Sequence, residues 1–73
     1  MAITKSKNIS KTFGKNLKII RTEKQMSQGD IARSLAVHRS YISGLERGVR
    51  NPTLTNIERI ARALGVDIKR LLE

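Results

Sequence analysis

Apolar residues recur along this chain at helical rather than strand spacing. Phe13, Leu17 and Ile20 stand at i, i+4 and i+7, with Lys15, Lys18 and Arg21 between them. This pattern predicts one buried stripe on a basic helix, running from about residue 10 to 24 or 25. Ser27 opens a second, short helix, with Asp30 three residues on as a variant of the capping box. Its inward side is Ile31, Ala32 and Leu35. A third helix starts near His38 and ends near Arg47, with Ile42 and Leu45 facing inward. Gly48 stands just past its end, where a left-handed backbone suits glycine. Pro52 forbids a helix through the loop of residues 49–52. Thr53 caps a fourth helix with Leu54, Ile57, Ile60, Ala61 and Leu64 on one face, and Gly65 stops it. Asp67 caps a last helix over residues 68–72. No segment alternates at period two, so no strand is expected. The predicted fold is all-α, a compact bundle of about five short helices.

With 73 residues, the chain makes one domain. A domain this small buries only about 60–65% of the surface its unfolded chain exposes. That is too little for a large interior with a deep substrate pocket. Residues 1–10 read as a flexible lead-in, and residues 11–73 as the domain. Cysteine is absent and His38 is the sole histidine, which removes disulfides, thiolate metal sites and histidine-rich ones. No apolar run approaches the roughly 20 residues of a membrane span. The first ten residues lack the apolar core of a secretory signal, so a cytoplasmic protein is expected.

Charge narrows the field. Fifteen Lys and Arg against six Asp and Glu give a formal net charge of +9. Such a surface draws polyanions: nucleic acid, an anionic membrane or an acidic protein. One Phe and one Tyr are too few for a single-strand stacking platform, and thin for a membrane-interface protein. Duplex DNA is favoured.

Residues 28–45 have the spacing of a helix-turn-helix. Ala32 is small where the second helix crosses close to it. Ile31, Leu35, Val37, Ile42 and Leu45 form the wedge. The outer face of the second helix, from His38 onward, then presents Arg39, Ser40, Ser43, Gly44 and Arg47. Such a face fits a major groove about 12 Å wide.

The stretches MSQGDIARSLAV, HRSYISGLERG and NPTLTNIERIARALGV resemble the phage Cro/C1-type repressor DNA-binding domain. This is the lambda-repressor-like, xenobiotic-response-element type of helix-turn-helix. HRSYISGLERGVRNPTLTNIERI is similar to the controller proteins of restriction–modification systems. Those are single-domain dimers on operators upstream of their own and the endonuclease genes. The resemblance implies five helices, dimerisation largely through the last helix, and binding to a roughly palindromic operator. Occupancy of that operator blocks or recruits RNA polymerase according to where it lies.

The resemblance places Arg39 on a base-reading position, where a bidentate contact to guanine O6 and N7 is the commonest specific one; the alternative is a solvated surface arginine. Ser40, Tyr41 and Ser43 are further base-reading candidates. Tyr41 either touches a thymine methyl or phosphate, or packs on a neighbouring helix. Gly44 is expected to allow close approach to DNA. Ser27 and Gln28 open a helix N-terminus suited to phosphate; in the family the Gln28 position also braces the recognition helix. Arg47, Arg50 and Asn51 are expected to clamp phosphates, with minor-groove insertion a lesser option for Arg50. His38 is an N-cap or a phosphate contact. Arg21 and Glu46 resemble a partly buried ion pair linking the first and third helices. Lys5, Lys7 and Lys11 form either an arm across the DNA backbone or a solubilising tail. Gln25 and Ala36 stand where the family often has glycine, at positions that usually need φ > 0.

Ile68, Leu71 and Leu72 are the candidate dimer surface; the alternative is that they finish the monomer core. A homodimeric regulator competes with an antitoxin-like or adaptor module acting through a protein partner. The latter needs no Arg39 with flanking serines. An RNA-binding role lacks stacking aromatics. No nucleophile–base pair points to an enzyme, and no cofactor, metal or small-molecule ligand is implied.

Overall fold

Five helices follow one another across residues 6–73, the part of the chain described by the computed structural model, with side chains placed from residue 9 onward. They are α1 (Ser6–Glu23), α2 (Gln28–Leu35), α3 (Arg39–Glu46), α4 (Leu54–Leu64) and α5 (Ile68–Leu72). No strand occurs among the described residues.

Local chemistry sets most of the boundaries. The Ser27 hydroxyl accepts from Asp30 N at 2.9 Å, and Ser27 N donates to Asp30 Oδ2 at 2.8 Å. Two donors that a helix start would leave unpaired are thus satisfied reciprocally. Thr53 Oγ1 accepts from Asn56 N at 3.0 Å, and Asp67 Oδ1 from Lys69 N at 2.9 Å. At the other ends the backbone turns left-handed: Gln25 (φ 59), Ala36 (φ 57), Gly48 (φ 76) and Gly65 (φ 70). The Ala36 N–H reaches the carbonyls of Ala32 and Arg33, which closes α2.

α1 begins at Ser6, earlier than the pattern predicts. Residues 6–10 are therefore helix rather than lead-in. Where the predicted helix begins, a long-range contact holds it: Ser10 is 3% exposed and its hydroxyl donates to Asn51 Oδ1, 41 residues away. Residues 1–5, including Lys5, and the Lys7 side chain lie outside the described part.

The apolar stripes converge on one core. Phe13, Leu17 and Ile20 from α1 meet Ile31 and Leu35 from α2, Ile42 and Leu45 from α3, and Ile57, Ile60 and Leu64 from α4. Leu54 departs from its expected place. It is 73% exposed, because as the first residue of α4 it lies beyond the turn that faces the core. Leu71 departs in the other direction. It is 0% exposed and is the one buried residue of α5. Asn16 Nδ2 donates to the Leu71 carbonyl at 2.9 Å, tying α5 to α1. Burial of a leucine side chain contributes about 1.5–3 kcal/mol, so Leu71 belongs to the monomer core and leaves the candidate dimer surface. Ile68 and Leu72 stay exposed.

Candidate nucleic-acid interface

The wedge between α2 and α3 is built from buried Ile31, Ala32, Leu35, Ile42 and Leu45, with Val37 packed partly against it. Burying that side turns the other side of α3 outward. Arg39, Ser40 and Arg47 are exposed, and Ser43 is half-buried.

The two helix starts differ. His38 holds the N-cap position of α3, but its exposed side chain makes no capping hydrogen bond. The first N–H groups of α3 thus have no side-chain acceptor at the cap, beside Arg39 and Ser40. That is a favourable place for an anion. α2 already carries its own anion, Asp30. The Ser27 backbone N–H, and then the Ser27 side chain, hold the Asp30 carboxyl below its usual range; desolvation opposes this, and Arg33 adds further to the lowering. Ser27, expected to meet phosphate, spends its N–H and an oxygen lone pair on Asp30.

Behind the outer face lies a charged brace. Arg21 Nε donates to Glu46 Oε2 at 2.6 Å, and Arg21 Nη2 to Glu46 Oε1 at 3.0 Å. Arg21 Nη1 donates to the Met26 carbonyl at 2.7 Å, which adds the α1–α2 turn. The Arg21 and Glu46 side chains are 13% and 3% exposed, respectively. This fork is the geometry in which an arginine–carboxylate pair is strongest. Its hydrogen bond to Glu46 raises the Arg21 pKa, outweighing desolvation. Gln28 Nε2 also donates to Glu46 Oε1, at 3.0 Å. An amide nitrogen carries two hydrogens, so one remains for a phosphate.

Beyond α3 the chain folds back. The Arg50 guanidinium lies 5.2 Å from the centroid of the Tyr41 ring, within cation–π range. The Tyr41 hydroxyl accepts from Asn56 Nδ2 at 2.9 Å. Tyr41 is half-buried and bound to α4 and Arg50 rather than standing clear beside Arg39. Gly44 is buried, and a Cβ on it would come 2.5 Å from Arg50 Cγ. The close approach at Gly44 is thus made by the chain's own Arg50 stem, not by a surface open to DNA. Asn51 gives its side-chain oxygen to Ser10. Ser10 and Asn56 are positioning residues that the sequence pattern does not reveal, since their partners are distant in the chain.

An open groove between α4 and α5 is bordered by Leu54, Ala61, Val66 and Ile68. Among the described residues no cluster of three His, Cys, Asp or Glu is placed to hold a metal ion. No described helix is long and apolar enough to cross a membrane.

Comparison with known proteins places this geometry. The helix-turn-helix family HTH_3 matches residues 17–71. The control protein C.BamHI of Bacillus amyloliquefaciens is 49% identical over 67 residues, covering 90% of this chain and 83% of that protein. The restriction–modification controller protein C.AhdI from Aeromonas hydrophila superposes with a TM-score of 0.81 at 40% identity, over 85% of this chain and 94% of that one. The restriction–modification controller protein C.Esp1396I, as a tetramer in complex with its natural 35-base-pair operator, gives a TM-score of 0.74 at 36% identity. That match covers 89% of this chain and 96% of its counterpart.

Proposed function

The chain belongs to the Cro/C1-type helix-turn-helix family, and on that premise we propose that it is a sequence-specific duplex-DNA-binding regulator of the restriction–modification controller type. One observation carries the reading of its site: α3 presents Arg39 and Ser40 beside an uncapped N-terminus, with Glu46 at its other end clamped from behind by Arg21 and Gln28.

In this reading α3 enters the major groove. Arg39 donates two N–H groups to guanine O6 and N7, and Ser40 and Ser43 meet neighbouring base edges. Arg47, Arg50 and the second Gln28 hydrogen hold phosphates, which sets register without reading sequence. Two copies pair across the α4–α5 groove through Leu54, Ile68 and Leu72. Their recognition helices then lie about 34 Å apart, one turn of DNA, and the operator is a palindrome. The dimer acts by occupancy in the cytoplasm, without catalysis. It blocks or recruits RNA polymerase according to operator position, under the control of its own concentration.

The test is selection of bound duplexes from a random pool at about 150 mM salt, with the wild type and Arg39→Ala side by side. The expected result is a palindromic motif that loses one guanine preference in Arg39→Ala. If bulk binding shows no enriched motif, the operator reading fails and an adaptor role replaces it.

A further inference from the structure

α1 lies along the C-terminal end of α3 and the loop beyond it. Ser10 donates to Asn51. The Lys11 stem covers Gly48, where a Cβ would stand 2.8 Å from Lys11 Cγ. Gly14 sits against the carbonyls of Leu45 and Glu46, and Arg21 holds Glu46. These contacts fix the rotation of α1 about its own axis. With helix positions about 100° apart, Lys11, Lys15 and Lys18 form one stripe at i, i+4 and i+7. It borders the α3 contact on the side away from Phe13, Leu17 and Ile20. All three lysines are exposed. α5 meets α1 at Asn16 and Glu23, on the opposite side.

None of these lysines forms an ion pair with a described carboxylate. Every Asp and Glu lies at position 23 or beyond, and residues 47–57 contain none. Glu46, at the α1–α3 contact, is 3% exposed and engaged by Arg21 and Gln28. The loop beside Lys11 adds exposed Arg47 and Arg50. Through the Lys11 stem on Gly48, the stripe adjoins the loop that carries Arg47 and Arg50. Like charges at i, i+4 repel and gain nothing for folding, so the arrangement calls for an external anion.

We propose that Lys11, Lys15 and Lys18 form a second phosphate track, which holds the sugar–phosphate backbone of duplex DNA just outside the base pairs met by α3. The inference rests on the DNA-binding reading above. Continuity with Arg47 and Arg50 commits the stripe to the same duplex. Lysines act there as point charges, adding affinity but no base preference.

The test uses the full chain and a mixed-sequence duplex of about four helical turns (~40 base pairs). Affinity is measured over a salt series for the wild type and for K11Q/K15Q/K18Q, with thermal melting as the control for folding. Each lost phosphate contact lowers the slope of log K against log salt by about 0.9, so the triple variant loses about 2.7 per protomer. In parallel, lysine acetylation is mapped by mass spectrometry with and without the duplex. Lys11, Lys15 and Lys18 are shielded by DNA, whereas Lys69 on α5 is not. A wild-type slope in the folded triple variant, or equal acetylation of the three lysines with and without DNA, overturns the proposal. A wild type with no salt-dependent binding to any duplex fails differently: it removes the DNA-binding reading itself.

Discussion

Gly14 of α1 lies against the backbone carbonyl of Leu45 in α3, so closely that a Cβ would overlap that oxygen and stand 2.9 Å from the Glu46 carbonyl. Both neighbours are backbone and cannot swing aside. In an open helix, Gly→Ala gains about 1 kcal/mol of helix propensity. Forcing atoms into a packed contact costs about 1–3 kcal/mol and sometimes more, and backbone overlap belongs at the upper end. The clash wins. Gly14→Ala is expected to lose about 2 kcal/mol in urea denaturation. A gain would mean that α1 and α3 stand further apart than described.

Ala36 reverses the argument. Its φ of 57 is left-handed, which costs an L-residue about 1–2 kcal/mol. Glycine removes that strain but orders a more flexible chain, at about 0.5–1 kcal/mol. Ala36 is exposed, so no packing is lost with its methyl. Ala36→Gly is expected to gain about 0.5–1 kcal/mol net, or several degrees in Tm at about 4–8 °C per kcal/mol for a domain of this size. Gln25→Gly, at φ 59, shifts Tm in the same direction. A fall in Tm for both would show that these turns need their side chains.

The two positions differ in how far the sequence reveals them. The left-handed turn at Ala36 is legible through the family resemblance, since an alanine alone does not signal it; the caps at Ser27, Thr53 and Asp67, and the stop at Gly65, are local events. Each is decided by residues within one helical turn, so spacing and residue type expose them. The wedge of Ile31, Leu35, Ile42 and Leu45 is legible for the same reason. Gly14, Ser10 and Leu71 are not, because their partners lie far along the chain; Gly44 is not, because it meets Arg50 only once the chain folds back beyond α3. Ser10 needs Asn51 to join the fold, and Leu71 is buried only once α5 returns to α1. The candidate site divides likewise. The outer face of α3 follows from helical period, but the commitment of Tyr41 to Asn56 and Arg50 depends on where α4 begins.

The capping box gives stability a pH dependence of known sign. Hydrogen bonds from Ser27 lower the folded pKa of Asp30 below the ordinary 3.8 of an aspartate. A depressed carboxyl stabilises the fold fully above its unfolded pKa, and that contribution fades as pH falls through the folded value. Asp30→Asn keeps a hydrogen-bond acceptor but has no charge. It is expected to be less stable than the wild type at pH 7, with the gap narrowing below pH 3.8. Denaturant midpoints of both proteins across that range provide the check. A gap independent of pH would assign the cap to hydrogen bonding alone.

Glu46 accepts three N–H groups, two from Arg21 and one from Gln28. Glu46→Gln offers one acceptor oxygen in place of two, and turns an NH2 group toward a donor. It also leaves the Arg21 charge uncompensated beside the core. Breaking a fully buried pair costs about 3–5 kcal/mol. Arg21 keeps 13% of its side chain exposed, so solvent recovers part of that, and a loss of about 2–3 kcal/mol is expected. Arg21→Lys keeps the charge but not the fork, and should fall between the wild type and Glu46→Gln. Urea midpoints of the three proteins order them. If Glu46→Gln melts with the wild type, the carboxylate charge does not hold α1 to α3, and shape alone orients the recognition helix. If Arg21→Lys is as unstable as Glu46→Gln, the bidentate geometry and the Met26 carbonyl contact hold the helices together, and charge adds little.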